Sequence, residues 1–179
     1  MHINSLMIFD KWIGPFLKNN IKLLEIGPDE KKSYQQKIEE LKLNVDYFFG
    51  DVTNCNSEKK GFIKFIDEEH IECDDAAFDL VLNAQVIEHV RKPWLWVKEL
   101  ARVLKVGGWL IIVAPMTWCI HHTFDCWRIF PDGMITLLKE AKLHPTLIQV
   151  ENLCGEIDKE RQLGQGLCYD IIGIGQKLE

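Results

Sequence analysis

Phe78-Asp79-Leu80-Val81-Leu82-Asn83-Ala84-Gln85, then Pro93 through Lys105, then Gly107-Gly108-Trp109-Leu110-Ile111-Ile112-Val113-Ala114-Pro115, is the stretch whose reading decides the fold. The first apolar run is short and halts at three small or polar residues, as a buried strand does. Pro93 opens a helix whose apolar residues Trp94, Val97, Leu100, Ala101 and Leu104 recur at three- and four-residue steps. Lys105 with Gly107-Gly108 reads as its stop. Trp109 to Ala114 is a second buried strand. Two strands joined by a helix imply a parallel crossover, and such sheets place their ligands beyond the carboxyl ends of the strands. Chemistry is therefore expected at Asn83, Ala84 and Gln85, and after Pro115.

Outward from this unit, Ile21 to Gly27 predicts a first strand, Ser33 to Leu43 a short helix, Val45 to Phe49 a second strand and Gly61 to Ile66 a third. Asp132 to Lys142 predicts a helix with Met134, Ile135, Leu137, Leu138 and Ala141 inward. Thr146–Val150 and Cys168–Ile174 predict two last strands. The alternation is that of an α/β sheet. At 179 residues the chain suits one domain, 1–179, divided into an N-terminal segment 1–20, a core 21–115 and a C-terminal part 116–179. Met1 to Lys18 carries Leu6, Phe9, Ile13, Phe16 and Leu17 on one helical face and reads as a docking helix, since Asp10 and Lys11 interrupt the apolar core a signal peptide needs.

The net charge of −6, from 27 acidic and 21 basic residues, comes without a lysine or arginine run. Nucleic acid is therefore not the expected partner. Six cysteines occur without Cys-x-x-Cys spacing, which speaks against a zinc knot and for free thiols in a reducing compartment. No segment is long and apolar enough to span a bilayer, so the sequence-based expectation is a cytoplasmic protein with no membrane partner.

Acids stand at successive strand ends: Glu25 in the first, Asp51 after the second, Asp67 after the third. A carboxylate past the second strand can accept both hydroxyl hydrogens of a ribose, and Gly27 leaves room for a ligand against the backbone. A dinucleotide would need further glycines, but Gly27 is followed by Pro28-Asp29-Glu30, whose carboxylates repel a pyrophosphate. S-adenosylmethionine has an adenosine, no phosphate and a positive sulfonium, so an acidic loop is compatible with it.

These residues resemble a class I S-adenosylmethionine-dependent methyltransferase of the small type 11 kind, over roughly Lys22 to Lys142. Leu23-Leu24-Glu25-Ile26-Gly27 is similar to that family's first cofactor motif, and Glu99 through Gly108 to its helix and glycine turn. Glu88-His89-Val90 is similar to the exit of its fourth strand. Asp125-Cys126-Trp127-Arg128, with Phe130 to Met134 after it, resembles a subgroup linked to cell-surface sugar or secondary metabolism. The resemblance implies a three-layer Rossmann-like methyltransferase fold, mostly parallel with an antiparallel last strand. It implies S-adenosylmethionine as cofactor, with Glu25 and Gly27 along its methionine part and Asp51 on the ribose. Asp67 and Glu68 would flank the adenine, and Asn83 and Ala84 would line the sulfonium side. Asp29, Glu30 and Lys31 depart from the pattern, standing where further glycines are usual.

Methyl transfer to a hydroxyl gains from a general base. After the fifth strand, His121 or His122 is the candidate base and Asp125 its orienter or a metal ligand, although the spacing matches no standard zinc pattern. Trp118, Trp127 and Arg128 read as substrate contacts, although Trp127 and Arg128 also suit a core aromatic and a structural ion pair. His89 is expected to pack beside the cofactor crevice. Asn83-Ala84-Gln85-Val86 is not the Asn-Pro-Pro-Tyr of amino-group methylation of adenine or glutamine. The expected substrate is a small-molecule or sugar hydroxyl, such as a glycan precursor. A degenerate methyltransferase-like binding or partner module is the alternative, and the oligomeric state stays open.

Overall fold

Strand β1 (Ile21–Ile26) is the axis of the molecule, because Leu23, Leu24, Glu25 and Ile26 are all buried and it is flanked on both sides. Backbone alternation sends Leu24 and Ile26 to one face and Leu23 and Glu25 to the other. The computed structural model describes residues 3–28, 34–51, 58–67, 69–117, 124–153 and 169–179. Around β1 the chain adds β2 (Val45–Asp51), β3 (Phe62–Asp67), β4 (His70–Ile71), β5 (Phe78–Ala84), β6 (Leu104–Thr117), β7 (Leu143–Glu151) and β8 (Tyr169–Lys177). Their order across the eight-stranded sheet is β4-β3-β2-β1-β5-β6-β8-β7.

β3, β2, β1, β5 and β6 run parallel, while β8 is antiparallel to both β6 and β7 and the two-residue β4 is antiparallel to β3. The mostly parallel sheet with an antiparallel last strand is thus present, with β8 inserted between β6 and β7. The central strands read as nearly unbroken apolar runs because both faces are covered.

One face packs Leu24, Val81, Leu110 and Ile112 against Trp96, Val97 and Leu100 of α3 (Pro93–Val103) and Met134 and Leu138 of α4 (Pro131–Glu140). The opposite face packs Leu23, Leu80, Leu82, Ile111 and Val113 against Ile8, Phe9 and Ile13 at the N-terminus and Tyr34 and Ile38 of α2 (Tyr34–Glu40). The N-terminal element is α1 (Ile3–Ile8), continued by a π-helical turn, Phe9–Ile13, and a 3-10 turn, Gly14–Phe16. Three layers result, with the N-terminal segment docked on the α2 side. Among the described residues no helix is long and apolar enough to cross a membrane.

Five details differ from the sequence reading. Helix α3 ends at Val103, and Leu104 already pairs with Phe78 as the first residue of β6. Gly107-Gly108 lies inside that strand at a shift of register, not at a helix stop. Gly107 has φ +82, and a Cβ on Gly108 would sit 2.9 Å from the Lys105 carbonyl oxygen. The glycines therefore serve a bulge. Val97, Leu100 and Ala101 of α3 are buried as expected, but Trp94 is 44% exposed and Trp96, 1% exposed, takes the inward place instead. Strand β4 was not anticipated, since two residues carry no period. The expected helix 33–43 is the shorter α2.

Candidate functional site

The carboxyl ends of β1, β2 and β3 open on a crevice with a cavity volume of about 100 Å³. At its floor the chain leaves β1 through Gly27, held at φ +63, where a Cβ would lie 2.8 Å from a Val86 methyl. Only glycine meets both demands at ordinary cost. The Gly27 N–H donates to the Gly50 carbonyl at 2.8 Å, joining the exits of β1 and β2. Asp51 ends β2 and lines the crevice with His89, while Ile26, Phe65, Val86, Val90 and Trp96 form its walls. An apolar crevice with a carboxylate in its lining suits a base carrying a diol.

A second, polar region begins where β5 ends. Asn83 is fully buried, and neither its amide nitrogen nor its amide oxygen has a hydrogen-bond partner among the described residues. Gln85 holds φ +56, outside the usual range for a residue with a side chain. Its amide donates to Ser5 Oγ at 3.3 Å and to Asp170 Oδ1 at 2.9 Å, and its buried oxygen has no partner among the described residues. Asp170 also accepts from Asn4 Nδ2 at 2.7 Å. Burial raises the Asp170 carboxyl, against the pull of the Gln85 and Asn4 amides.

Glu88 sits in the 3-10 turn Ile87–His89 with its side chain wholly buried and both carboxylate oxygens lacking a hydrogen bond among the described residues. Burial pushes its carboxyl up to about 8. A contact with its own backbone N–H and the charge of Arg128 oppose this, while Asp170 and Asp125 add to it. The Glu88 carbonyl accepts from the N–H groups of Cys126 and Trp127, at 2.7 and 3.3 Å. His89 Nδ1 donates to the Phe124 carbonyl, which leaves Nε2 3.7 Å from Glu88 Oε1.

Of the residues singled out in the sequence, Gly27, Asp51 and His89 meet at the crevice. Glu25 does not reach it. It faces the α2 layer, 1% exposed, accepting from the Tyr34 N–H at 3.1 Å and the Tyr47 hydroxyl at 2.6 Å. Asp67 is exposed at the sheet edge and accepts from the Glu69 N–H and the His70 ring, contacts that lower its carboxyl. Asn83 lies beside Ile26 in register, and Ala84 is buried in the α2-side core.

Asp125 forms a two-point ion pair with Arg128, its side chain 1% exposed, so its carboxylate is engaged there. Trp127 Nε1 donates to the Val90 carbonyl at 2.8 Å and its ring meets Trp94 edge-on, as a brace for the crevice wall. Glu68, Trp118, His121 and His122 lie outside the described residues, as do Asp29, Glu30 and Lys31. Phe65, Trp96 and Glu88 were missed, the first two because a core aromatic looks the same wherever it packs. Glu88 left a signal, a lone acid in the apolar run Val86-Ile87-Glu88-His89-Val90.

These features fit S-adenosylmethionine. Gly27 clears the backbone, Asp51 stands where a ribose diol would be met, and the orphaned amide of Asn83 is a buried polar group in want of a partner. A family model described as a methyltransferase domain matches residues 19–112. A ubiquinone biosynthesis O-methyltransferase from Maricaulis maris is 48% identical over 44 residues, a stretch spanning 25% of this chain and 17% of that protein. Three solved structures share the fold at low identity. Phosphoethanolamine N-methyltransferase 2 from Haemonchus contortus, in complex with S-adenosylhomocysteine, has a TM-score of 0.70 and 16% identity, covering 99% of this chain and 53% of that one. An S-adenosylmethionine-dependent methyltransferase from Methanosarcina mazei has a TM-score of 0.63 and 15% identity over 93% and 96% of the two chains. Geranyl diphosphate C-methyltransferase from Streptomyces coelicolor has a TM-score of 0.68 and 11% identity over 97% and 80%.

Proposed function

The chain belongs to the methyltransferase domain family, and on that premise we propose that it carries a methyl group from S-adenosylmethionine to a hydroxyl of a small molecule, including sugar-like precursors. The observation that carries this reading is the division of the strand ends into two regions. An apolar slot with Asp51 and Gly27 lies over β1 to β3, and a buried polar cluster, in which Gln85 donates to Asp170 and Asp170 acts electrostatically on Glu88, lies at the exit of β5 against β8. The first suits an adenosyl group. The second suits a polar acceptor whose proton must leave.

S-adenosylmethionine supplies a methyl carbon already activated by its sulfonium. The protein's share is to align the acceptor with it and keep water out. Asp51 would hold the ribose hydroxyls, Gly27 would let the methionine part lie against the backbone, and Asn83 would meet its polar end. Trp127 and the Asp125–Arg128 pair hold the segment that follows β6 against the exit of β5, giving the acceptor a fixed wall. His121 or His122 in that segment, with Trp118, would complete the acceptor side. The O-methyltransferase from Maricaulis maris supports a hydroxyl acceptor over an amine.

The test is transfer of a labelled methyl group from S-adenosylmethionine to catechol, to methyl glucoside and to phosphoethanolamine. Label in either hydroxyl compound supports the reading. Label in phosphoethanolamine alone overturns the acceptor class, and absence of cofactor binding in calorimetry would favour a partner module. Asp51→Ala is expected to weaken cofactor binding about 10- to 100-fold through the loss of charge-assisted hydrogen bonds.

A further inference from the structure

The described residues hold one carboxylate that the fold buries completely and leaves without a hydrogen bond, Glu88. A native protein rarely keeps such a group, since an unsatisfied buried acid costs stability that an amide or an apolar side chain in its place would restore. Its place is also specific. It follows the exit of β5 by four residues, and its backbone carbonyl anchors Cys126 and Trp127. The same stretch of chain, Asn83 to Glu88, carries two further groups unsatisfied among the described residues, the Asn83 amide and the Gln85 oxygen.

Its charged surroundings are His89 in its own turn, Asp170 from β8, and Asp125 with Arg128 from the segment after β6. Asp125 and Arg128 neutralise each other, and Asp170 is met by two amides. His89 Nε2 lies 3.7 Å from Glu88 Oε1, an ion-pair distance for a protonated imidazole but too long for a hydrogen bond, so the carboxylate keeps unused acceptor capacity among the described residues. A reactant that carries a hydrogen-bond donor or a positive charge can fill that capacity.

Building on the reading above, we infer that Glu88 is the carboxylate at the transferring methyl: it faces the positive charge before transfer and takes the acceptor's proton during it. The acceptor oxygen forms its bond to the methyl carbon as the carbon–sulfur bond breaks, with that electron pair staying on sulfur. The hydroxyl proton passes to a Glu88 oxygen, leaving a neutral carboxylic acid that returns the proton to solvent when products leave. Positive charge on sulfur is lost in the same step in which negative charge on Glu88 is lost, so the buried site stays balanced. His89, fixed by Phe124, and the Asp125–Arg128 pair are positioning groups in this scheme. A carboxyl that titrates near neutral pH is suited to the role.

The test needs no acceptor. S-adenosylmethionine and S-adenosylhomocysteine differ in the methyl group and the sulfonium charge, so the ratio of their affinities isolates what faces that charge. Calorimetry from pH 6 to 9 is expected to show the wild-type preference for S-adenosylmethionine rising about 10-fold as Glu88 ionises. In two buffers of different ionisation enthalpy, near pH 7, its binding should release up to about one proton, and that of S-adenosylhomocysteine close to none. Glu88→Gln should flatten the ratio while still binding S-adenosylhomocysteine.

A flat ratio in the wild-type protein overturns the inference without touching the methyltransferase reading, even if the Gln variant does not fold. A slope that survives in Glu88→Gln overturns it as well. Binding of neither ligand would instead remove the cofactor reading on which it rests.

Discussion

Glu25 shows how a residue in a recognisable motif can act through the fold. Its carboxylate is clasped by the Tyr34 N–H and the Tyr47 hydroxyl, so it ties β1 both to β2 and to the start of α2, directly below the crevice. Burial raises the acid to about 7 against the pull of Tyr47 and Tyr34, and the charge of Glu25 helps burial raise both phenols. A carboxyl that holds its proton more tightly in the native state than in the unfolded one lowers stability as pH rises between the two values. For Glu25 that window runs from about 4.5 to about 7, a loss on the order of 3 kcal/mol. Glu88 adds a loss of the same sign that extends to about pH 8. Urea midpoints at pH 5 and pH 8 should therefore fall further in the wild type than in Glu25→Gln, which keeps a hydrogen-bonding amide and cannot ionise. Parallel decreases in the two proteins would refute this. Sequence position told that Glu25 is near the cofactor motif. It could not tell which face of β1 carries it, because that depends on where the whole sheet is covered.

At the scale of elements, the segment from Glu99 to Gly108 carries the strongest family resemblance yet lies away from the crevice. Glu99 accepts from the Ile71 N–H at 2.8 Å and from two guanidinium nitrogens of Arg102, and Arg102 also reaches the carbonyls of Ile71 and Cys73 and the Asp75 carboxylate. Burial pushes the Glu99 carboxyl up, but Arg102 and the Ile71 N–H outweigh it and hold it below its ordinary value. Beyond the helix, Lys105 pairs with Asp79 at 2.8 Å, and Gly108 lets β6 pass close to the Lys105 carbonyl. The segment is a brace that fixes α3, β4 and the start of β5 to one another. Arg102→Met should cost about 2–3 kcal/mol in chemical denaturation by stranding Glu99, with part of the loss recovered in the Glu99→Gln, Arg102→Met double variant. Cofactor affinity should hold within about threefold, as the brace reaches the crevice walls only through the body of α3 and the pairing of Ile71 with Phe65. The 3.6-residue period made α3 legible from sequence. Its end was not, because a glycine pair closes a helix or bulges a strand with the same two letters, and the Phe78–Leu104 pairing that decides between them is long-range.

Across the whole molecule, the N-terminal segment covers the α2-side face of the sheet. Its apolar stripe is plain in the sequence, and burial of Ile8, Phe9 and Ile13 contributes roughly 1.5–3 kcal/mol each to holding it on the sheet. Its polar contacts are not legible, since they join residues far apart in the chain. Lys11 and Trp12 meet the Glu151 carboxylate, and Asn4 reaches Asp170 across 166 positions. Asn4 is fully used: its amide donates to Asp170 Oδ2 at 2.7 Å and the Glu151 carbonyl at 3.3 Å, and its oxygen accepts from the Leu153 N–H at 2.7 Å. Asp170 is 6% exposed, so Asn4 and Gln85 are what keep its carboxyl from rising further. Asn4→Ala should accordingly raise that carboxyl. The native state then binds its proton more tightly, so the cost of the substitution is smaller where Asp170 is protonated and grows as pH rises through its titration. The expected loss is about 2–3 kcal/mol at pH 8, from removing a partner of a buried charge, and distinctly less at pH 5. Urea denaturation at the two pH values, for the wild type and Asn4→Ala, measures it. A penalty that does not change with pH would mean that Asn4 serves Leu153 and Glu151 alone and leaves Asp170 to Gln85.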